Sequence, residues 1–331
     1  MRKLICSTAV LAAMTLSAAA HAQYTMKIAT PTIGDINVEW MKLFKAGVEP
    51  RTGGKLKVEL YPASQLGSIP RTIDGTMLGT IEAAFTSSGF LVNVEPRYQL
   101  FDAVGLFDDI HHAQKVFNDP EVRKRMATFG AAKGVEPLTS FFHSENILVS
   151  SKPVRSLADI RGLKVRIYST PMQIETVKKL QASPIPMSLG EVLPALQNGT
   201  IDGAITGNTI PTAFKYYDAA KYVLYLPSAS TVAAAIVNKA WLASLPADVR
   251  QVLAEEVRKA DSAAAEWGAK DVERARKVWE QHGGVNAYLS PAEQKVFIRD
   301  VTSSIMPVVN ANPQMKIDYQ VFMSAAERYR K

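Results

Sequence analysis

Cysteine is nearly absent from this chain, and the one present, Cys6, lies in the amino-terminal segment. A mature protein without it has no disulfide and no thiol chemistry. Catalytic signatures are missing as well: there is no G-x-S-x-G, no Walker A loop, no G-x-G-x-x-G after a strand and no HExxH. His111 and His112 are adjacent rather than at i, i+4, so they do not read as a metal pair. No run of Lys and Arg and no basic-aromatic stripe suggests nucleic acid. After residue 22, no apolar run approaches the ~20 residues of a membrane span. Neither a cofactor nor a metal is expected, and the readings from the residues favour a binding protein over an enzyme.

What is present begins with MRKLICSTAVLAAMTLSAAAHAQ: a basic start at Arg2 and Lys3, an apolar stretch from Leu4 to Leu16, and small residues ending Ala20-His21-Ala22. That order predicts a secretory signal peptide over residues 1–22, with the mature chain starting near Gln23. Removing Arg2 and Lys3 from 38 basic residues leaves 36 against 31 acidic, a net charge of +5 that mildly favours anionic ligands. At 331 residues the chain is too long for one ordinary core, so about two domains are expected.

Two phrases recur in order. LKVELYP at 56–62 resembles LKVRIYS at 163–169, and GTIEAAFTSS at 79–88 resembles GTIDGAITGN at 199–208. The repetition predicts two similar lobes of sheet and covering helices, with Thr86-Ser87-Ser88 and Thr206-Gly207-Asn208 leaving equivalent strands toward one cleft. Residues 135 to 150 read as two strand segments joined through His143-Ser144-Glu145, and residues 231 to 241 as a second connection. Two such crossings make a clamshell with a hinge.

The punctuation of the helices is explicit. Asn37 to Arg51 is amphipathic; Pro120 opens a helix reaching about Lys133; Thr170-Pro171 and Ser188 with Glu191 cap two more. Pro246 to Gln281 reads as one helix of about 50 Å at 1.5 Å per residue, long enough to run along both lobes. Ser290-Pro291 caps another, and a last amphipathic segment reaches Lys331. The apolar loop from Phe101 to Asp109 is expected to pack on a helix.

For a bound anion the candidate anchor is Arg166, near the carboxyl end of a strand whose Leu163, Val165 and Ile167 alternate with Lys164, Arg166 and Tyr168. A guanidinium can hold a carboxylate with two parallel hydrogen bonds. Asn146, Ser87, Ser88, Thr206 and Asn208 can add neutral polar contacts, and Tyr168 and Leu189 apolar ones.

These same residues carry a family resemblance. QLG at 65–67, the GTIE strand, GLKVR at 162–166, PMSLGEVLPALQNGTIDGA at 186–204 and the long carboxyl-terminal helices make the chain resemble the solute-binding receptors of tripartite ATP-independent periplasmic (TRAP) transporters, over nearly its whole mature length. The resemblance implies an α/β, two-lobed clamshell with two crossover strands and a long helix spanning both lobes. The expected division is 23–143 plus 232–271 for lobe I and 144–231 plus 272–331 for lobe II. It further implies capture of a small organic carboxylate, with the family's carboxylate-binding arginine matching Arg166, and delivery to TRAP membrane permease subunits. Two departures stand out. Asn146 occupies the place where sialic-acid-type members carry another arginine, and Thr206 the place of a ligand-contacting asparagine, with Asn208 two further on. Both suggest a ligand unlike sialic acid, such as a smaller or more apolar monocarboxylate. A secreted enzyme acting on a small organic acid, or a receptor for an ATP-driven uptake system, are the alternative readings.

Overall fold

A computed structural model describes residues 24–330; the expected signal peptide lies outside the described residues. The chain opens β1 (Tyr24–Ala29), α1 (Ile36–Arg51), β2 (Leu56–Tyr61), α2 (Ile69–Leu78) and β3 (Ala83–Ser87). After 3-10 turns come α3 (Ile110–Asn118), α4 (Pro120–Met126) and the long strand β4 (Val135–Ser150). A second βαβαβ unit follows: β5 (Lys164–Ile167), α5 (Pro171–Lys179), β6 (Ser183–Pro186), α6 (Leu189–Gln197) and β7 (Gly203–Gly207). Then α7 (Ile210–Ala213), the long strand β8 (Tyr222–Asn238), α8 (Lys239–Ser244), α9 (Ala247–Gln281), β9 (Val285–Tyr288), α10 (Pro291–Asn310) and α11 (Pro313–Tyr329) complete the fold.

The strands join in the order β2-β1-β3-β8-β4-β7-β5-β6, with β9 beside β8. Within each unit the strands run parallel, whereas β8 lies antiparallel to β3 and β4 antiparallel to β7. Read outward from the central β8–β4 pair, β3 answers β7, β1 answers β5 and β2 answers β6. The predicted two-lobed α/β clamshell with two crossing strands is therefore the observed architecture. One half of the predicted repeat is corrected. GTIEAAFTSS and GTIDGAITGN do lie on equivalent strands, but LKVELYP forms the edge strand β2, whose counterpart is β6. The true counterpart of β5 is β1. The two strands share a phrase without sharing a place: Val165, Arg166 and Ile167 of β5 are all buried, whereas in the edge strand β2 only Leu56 and Val58 are.

Residues 135–150 form one strand rather than two segments. Its register against β8 slips between Phe142 and Ser144 and again between Glu145 and Ile147, so it bends without breaking. The polar stretch is kept in the sheet by specific partners: His143 Nε2 lies 3.1 Å from Asp35 Oδ2 and its Nδ1 3.0 Å from Ser144 Oγ, all three residues buried. Asp35 also caps α1 by accepting from Val38 N–H, so one carboxylate fixes both the helix start and the bend. The second crossing is longer than the expected 231–241, starting at Tyr222, and Lys239 already belongs to α8.

The helix after Pro120 stops at Met126 instead of reaching Lys133, because Gly130 sits at φ 74° and turns the chain into a separate 3-10 turn. The Phe101–Asp109 segment packs inward as expected, with Phe101, Leu106 and Phe107 buried. The long helix α9 spans both halves. Near its start Asp248 meets Lys55 and Glu255 meets Arg51, while past its end His282 stacks on Tyr217 at 3.9 Å and accepts Lys221 Nζ at its carbonyl. No helix among the described residues is long and apolar enough to cross a membrane.

Candidate functional site

Parallel strands expose their carboxyl ends, and helices following them turn free N–H groups the same way, so each half presents a polar edge. Both halves of this sheet direct those edges toward the β4–β8 crossing. Arg166 stands at the edge of the second half, in register with Ala204 of β7. Its side chain is 0 % exposed. Nε donates to Met187 O at 2.9 Å, Nη1 reaches Ile205 O only at 3.5 Å, and Nη2 is buried with no hydrogen-bond partner among the described residues. The guanidinium lies over the Tyr168 ring at 4.8 Å and near the Phe90 ring at 5.7 Å. Burial lowers its pKa from the ordinary arginine value, and the Tyr168 and Tyr216 hydroxyls act in the opposite direction. An arginine remains charged through such a shift. A dry cation with an unfilled donor is costly to keep without an anion.

Tyr168 links this charge to the crossing strands. Its hydroxyl is 3.3 Å from Thr231 Oγ1, which donates to Asn146 Oδ1 at 2.5 Å, and Asn146 Nδ2 donates to Ser230 O at 3.1 Å. Asn146 is thus held by β8 and ties the two crossing strands together. The Tyr168 backbone N–H donates to Gln173 Oε1 at 2.9 Å, and Gln173 Nε2 donates to Asp102 Oδ1 at 3.1 Å. Thr170, the N-cap of α5, also donates to Asp102, at 2.7 Å. Burial pushes the Asp102 carboxyl up to about 7, against the lowering effect of those two donors.

Thr206 is fully buried with an unpartnered Oγ1, and Asn208 is buried with neither side-chain oxygen nor nitrogen engaged. Ser87 and Ser88 are buried at the end of β3, immediately before Gly89 and Phe90. The Phe90 ring meets Tyr168 edge-on at 5.1 Å, and a Cβ at Gly89 would stand 2.9 Å from Tyr168 Cβ, so the first half touches the second beside the guanidinium. Leu189 is buried in the core, and its carbonyl accepts from Tyr216 at 3.2 Å.

The structure therefore gathers Arg166, Tyr168 and Asn146 into one connected chain, places Thr206 and Asn208 on the adjoining β7 edge, and sets Ser87 and Ser88 at the facing edge. Leu189 serves the core beneath. Sequence reasoning placed Thr86 at the cleft without giving it a ligand contact, and missed Phe90, Tyr216, Asn37 and Thr209. Thr86 Oγ1, Asn37 Oδ1 and Thr209 Oγ1 are further buried atoms without partners among the described residues. The GTIEAAFT and GTIDGAIT phrases align Thr86 with Thr206; Phe90 and Tyr216 lie in short 3-10 turns that carry no periodic signal. Beside the site, Phe90, Met187 and Ser169 border a cavity of about 320 Å³ that extends between α2 and α6.

A two-lobed α/β receptor with a buried cation between its halves is the class this fold and site define. The family model for bacterial extracellular solute-binding proteins of family 7 matches residues 30–309, and the chain belongs to that family, the solute-binding receptors of TRAP transporters. A solute-binding protein of Verminephrobacter eiseniae is 31% identical over 247 residues, covering 73% of this chain and 72% of that one. The 2,3-diketo-L-gulonate-binding periplasmic protein YiaO of Escherichia coli K12 is 29% identical over 234 residues, 70% of this chain and 71% of that one. A TRAP periplasmic solute-binding protein of Anaerococcus prevotii, solved with bound D-glucuronate, superposes with a TM-score of 0.86 at 25% identity, covering 93% of this chain and 100% of that one. These relatives are receptors, not enzymes.

Proposed function

We propose that this receptor captures a small organic carboxylate on Arg166 in the cleft between its halves, closes over it, and hands it to a TRAP membrane permease from the periplasm. The observation that carries the reading is the fully buried guanidinium whose Nη2 has no partner. A carboxylate supplies the missing acceptor and the missing charge at once. Thr86, Thr206 and Asn208 add neutral donors and acceptors, and the Tyr168 and Phe90 rings wall the site from water. The ligands of the relatives, 2,3-diketo-L-gulonate and D-glucuronate, present the same head group. With Asn146 held by Ser230 and Thr231, Arg166 is the one cation assigned to the ligand, which favours a monocarboxylate.

Closure requires a hinge, and the division into 23–143 plus 232–271 against 144–231 plus 272–331 is the proposed one. The register slips of β4 at Phe142/Ser144, opposite Thr231 and Val232, support it. The test is calorimetric titration of sugar acids and short monocarboxylates into the parent and Arg166→Ala. Truncating one partner of a buried charge pair costs about 2–5 kcal/mol, or roughly 30- to several-thousand-fold in affinity. Equal affinity in both proteins defeats the proposal, and chemical conversion of the ligand would point to an enzyme instead.

A further inference from the structure

Away from the cleft, a second cavity of about 380 Å³ opens between α9 on one side and α3 and α4 on the other, floored by the first half of β4. Its volume falls within the range of small-molecule sites. Apolar walls come from Phe117, Met126, Leu138, Phe142, Leu253 and Val257. Charge at the lining is unbalanced, with Arg123, Arg250 and Arg258 against the single carboxylate Asp261. The acids of α9 that stand near those arginines in sequence are engaged elsewhere: Asp248 with Lys55, Glu255 with Arg51, and Glu256 with Arg51 and Lys259. Arg250 donates only to the Ala243 carbonyl at 3.1 Å. Asp261 faces inward, where Oδ1 accepts from Trp40 Nε1 and Thr139 Oγ1, both at 2.6 Å. On the floor, Ser140 is 9 % exposed and its buried Oγ has no partner.

An apolar trough with two arginines two helical turns apart on one wall and a buried unpaired hydroxyl beneath suits a molecule with a hydrocarbon body and one anionic head. The geometry points to a second binding site here, independent of Arg166, for a small amphiphilic anion such as a medium-chain alkyl carboxylate or an aryl sulfonate. The head group pairs with Arg250 or Arg258 at the mouth, and the body lies along Leu253, Val257 and Phe142. A partly apolar acid of this kind desolvates the trough while leaving its charge at the rim, which a sugar acid, polar all round, does not do.

The test uses the mature full-length protein with two probes, 8-anilinonaphthalene-1-sulfonate followed by fluorescence and octanoate as competitor. Expected is saturable binding of one probe per chain, displaced by octanoate. Ala254→Trp, which places a large ring in the mouth from an exposed helix position, abolishes it. The double variant Arg250→Glu/Arg258→Glu weakens it at least tenfold. Arg166→Ala leaves it unchanged, which separates this site from the cleft whatever becomes of the cleft reading. Retained melting curves for the variants establish that they are folded. No saturable probe binding, binding indifferent to both Ala254→Trp and the charge reversal, or binding lost in Arg166→Ala overturns the inference. So does co-sedimentation with anionic phospholipid vesicles in the absence of octanoate binding, which would make the trough a membrane contact.

Discussion

Ala29 and Arg166 hold the same place in the two halves of this molecule. Each lies on the strand one removed from its crossing pair: Ala29 of β1 is in register with Ala84 of β3, and Arg166 of β5 with Ala204 of β7. The neighbouring strands are alike even in detail, since Thr86 and Thr206 are matching residues whose buried hydroxyls both lack partners. One half carries a guanidinium where the other carries a methyl group. On the proposed function, the difference teaches that a doubled scaffold can supply a shared set of neutral donors from both sides while a single substitution gives the cleft its charge and its polarity. Two facing cations would repel each other in a dry site and demand a dianion; one, on the proposed function, would select a single negative head.

The largest expected effect comes from erasing the difference. Arg166→Met puts an apolar side chain at this place in both halves, and ligand binding should fall roughly 30-fold or more. The melting temperature of the ligand-free protein should hold or rise, because replacing a buried unpaired charge by an apolar side chain removes a desolvation cost. A clear fall in the ligand-free melting temperature would make Arg166 a structural residue. Next in size is Gly89→Ala. The added Cβ meets Tyr168 across the cleft, and overpacking of about 1–3 kcal/mol should weaken binding on the order of tenfold, with a larger radius of gyration of the liganded protein in small-angle scattering. Unchanged affinity would show that the contact between halves is not part of closure.

Thr86→Val and Thr206→Val then ask whether the matching hydroxyls contribute alike. Each is expected to cost about 1 kcal/mol of binding, some fivefold, by calorimetry. An effect in Thr206→Val alone would assign the ligand to the second half only. The smallest effect is on pH dependence. The Asp102 carboxyl is raised to about 7 in the folded protein from 3.8, so the fold favours its neutral form. Its contribution is present in full below about pH 4 and is lost as pH rises through about 7. Asp102→Asn should flatten the decline in melting temperature between about pH 4 and pH 7, by about 1 kcal/mol in all because part of the group reaches solvent. An identical pH profile in the variant would contradict this.

Much of this arrangement is legible in the chain because it depends on local chemistry. Thr170-Pro171, the Ser188/Glu191 pair and Ser290-Pro291 start helices where their hydrogen bonds require, and the unbroken stripe from Val249 to Trp267 makes α9 one helix. Arg166 is visible as the charged residue nearest the carboxyl end of an alternating strand. What stays hidden depends on tertiary neighbours. Ala29 has no chemistry to mark it as the counterpart of Arg166, while LKVELYP imitates the anchor strand from the sheet edge. His143-Ser144-Glu145 looks like a break until Asp35 is found bonded to His143. Asn146 looks available for ligand until Ser230 and Thr231 are found holding its amide. Phe90 and Tyr216 approach Arg166 from 3-10 turns too short for any period to announce them.

The central claim is that one buried guanidinium reads one carboxylate, and the most direct measurement is a cycle of two proteins and two ligands. The affinity of the captured acid and of its neutral amide is measured on the parent and on Arg166→Met by titration calorimetry. The parent should prefer the acid by a hundredfold or more, and the variant should show almost no preference, the two changes being coupled rather than additive. If Arg166→Met keeps the full preference for the acid, the charge is read elsewhere and this account of the site is wrong.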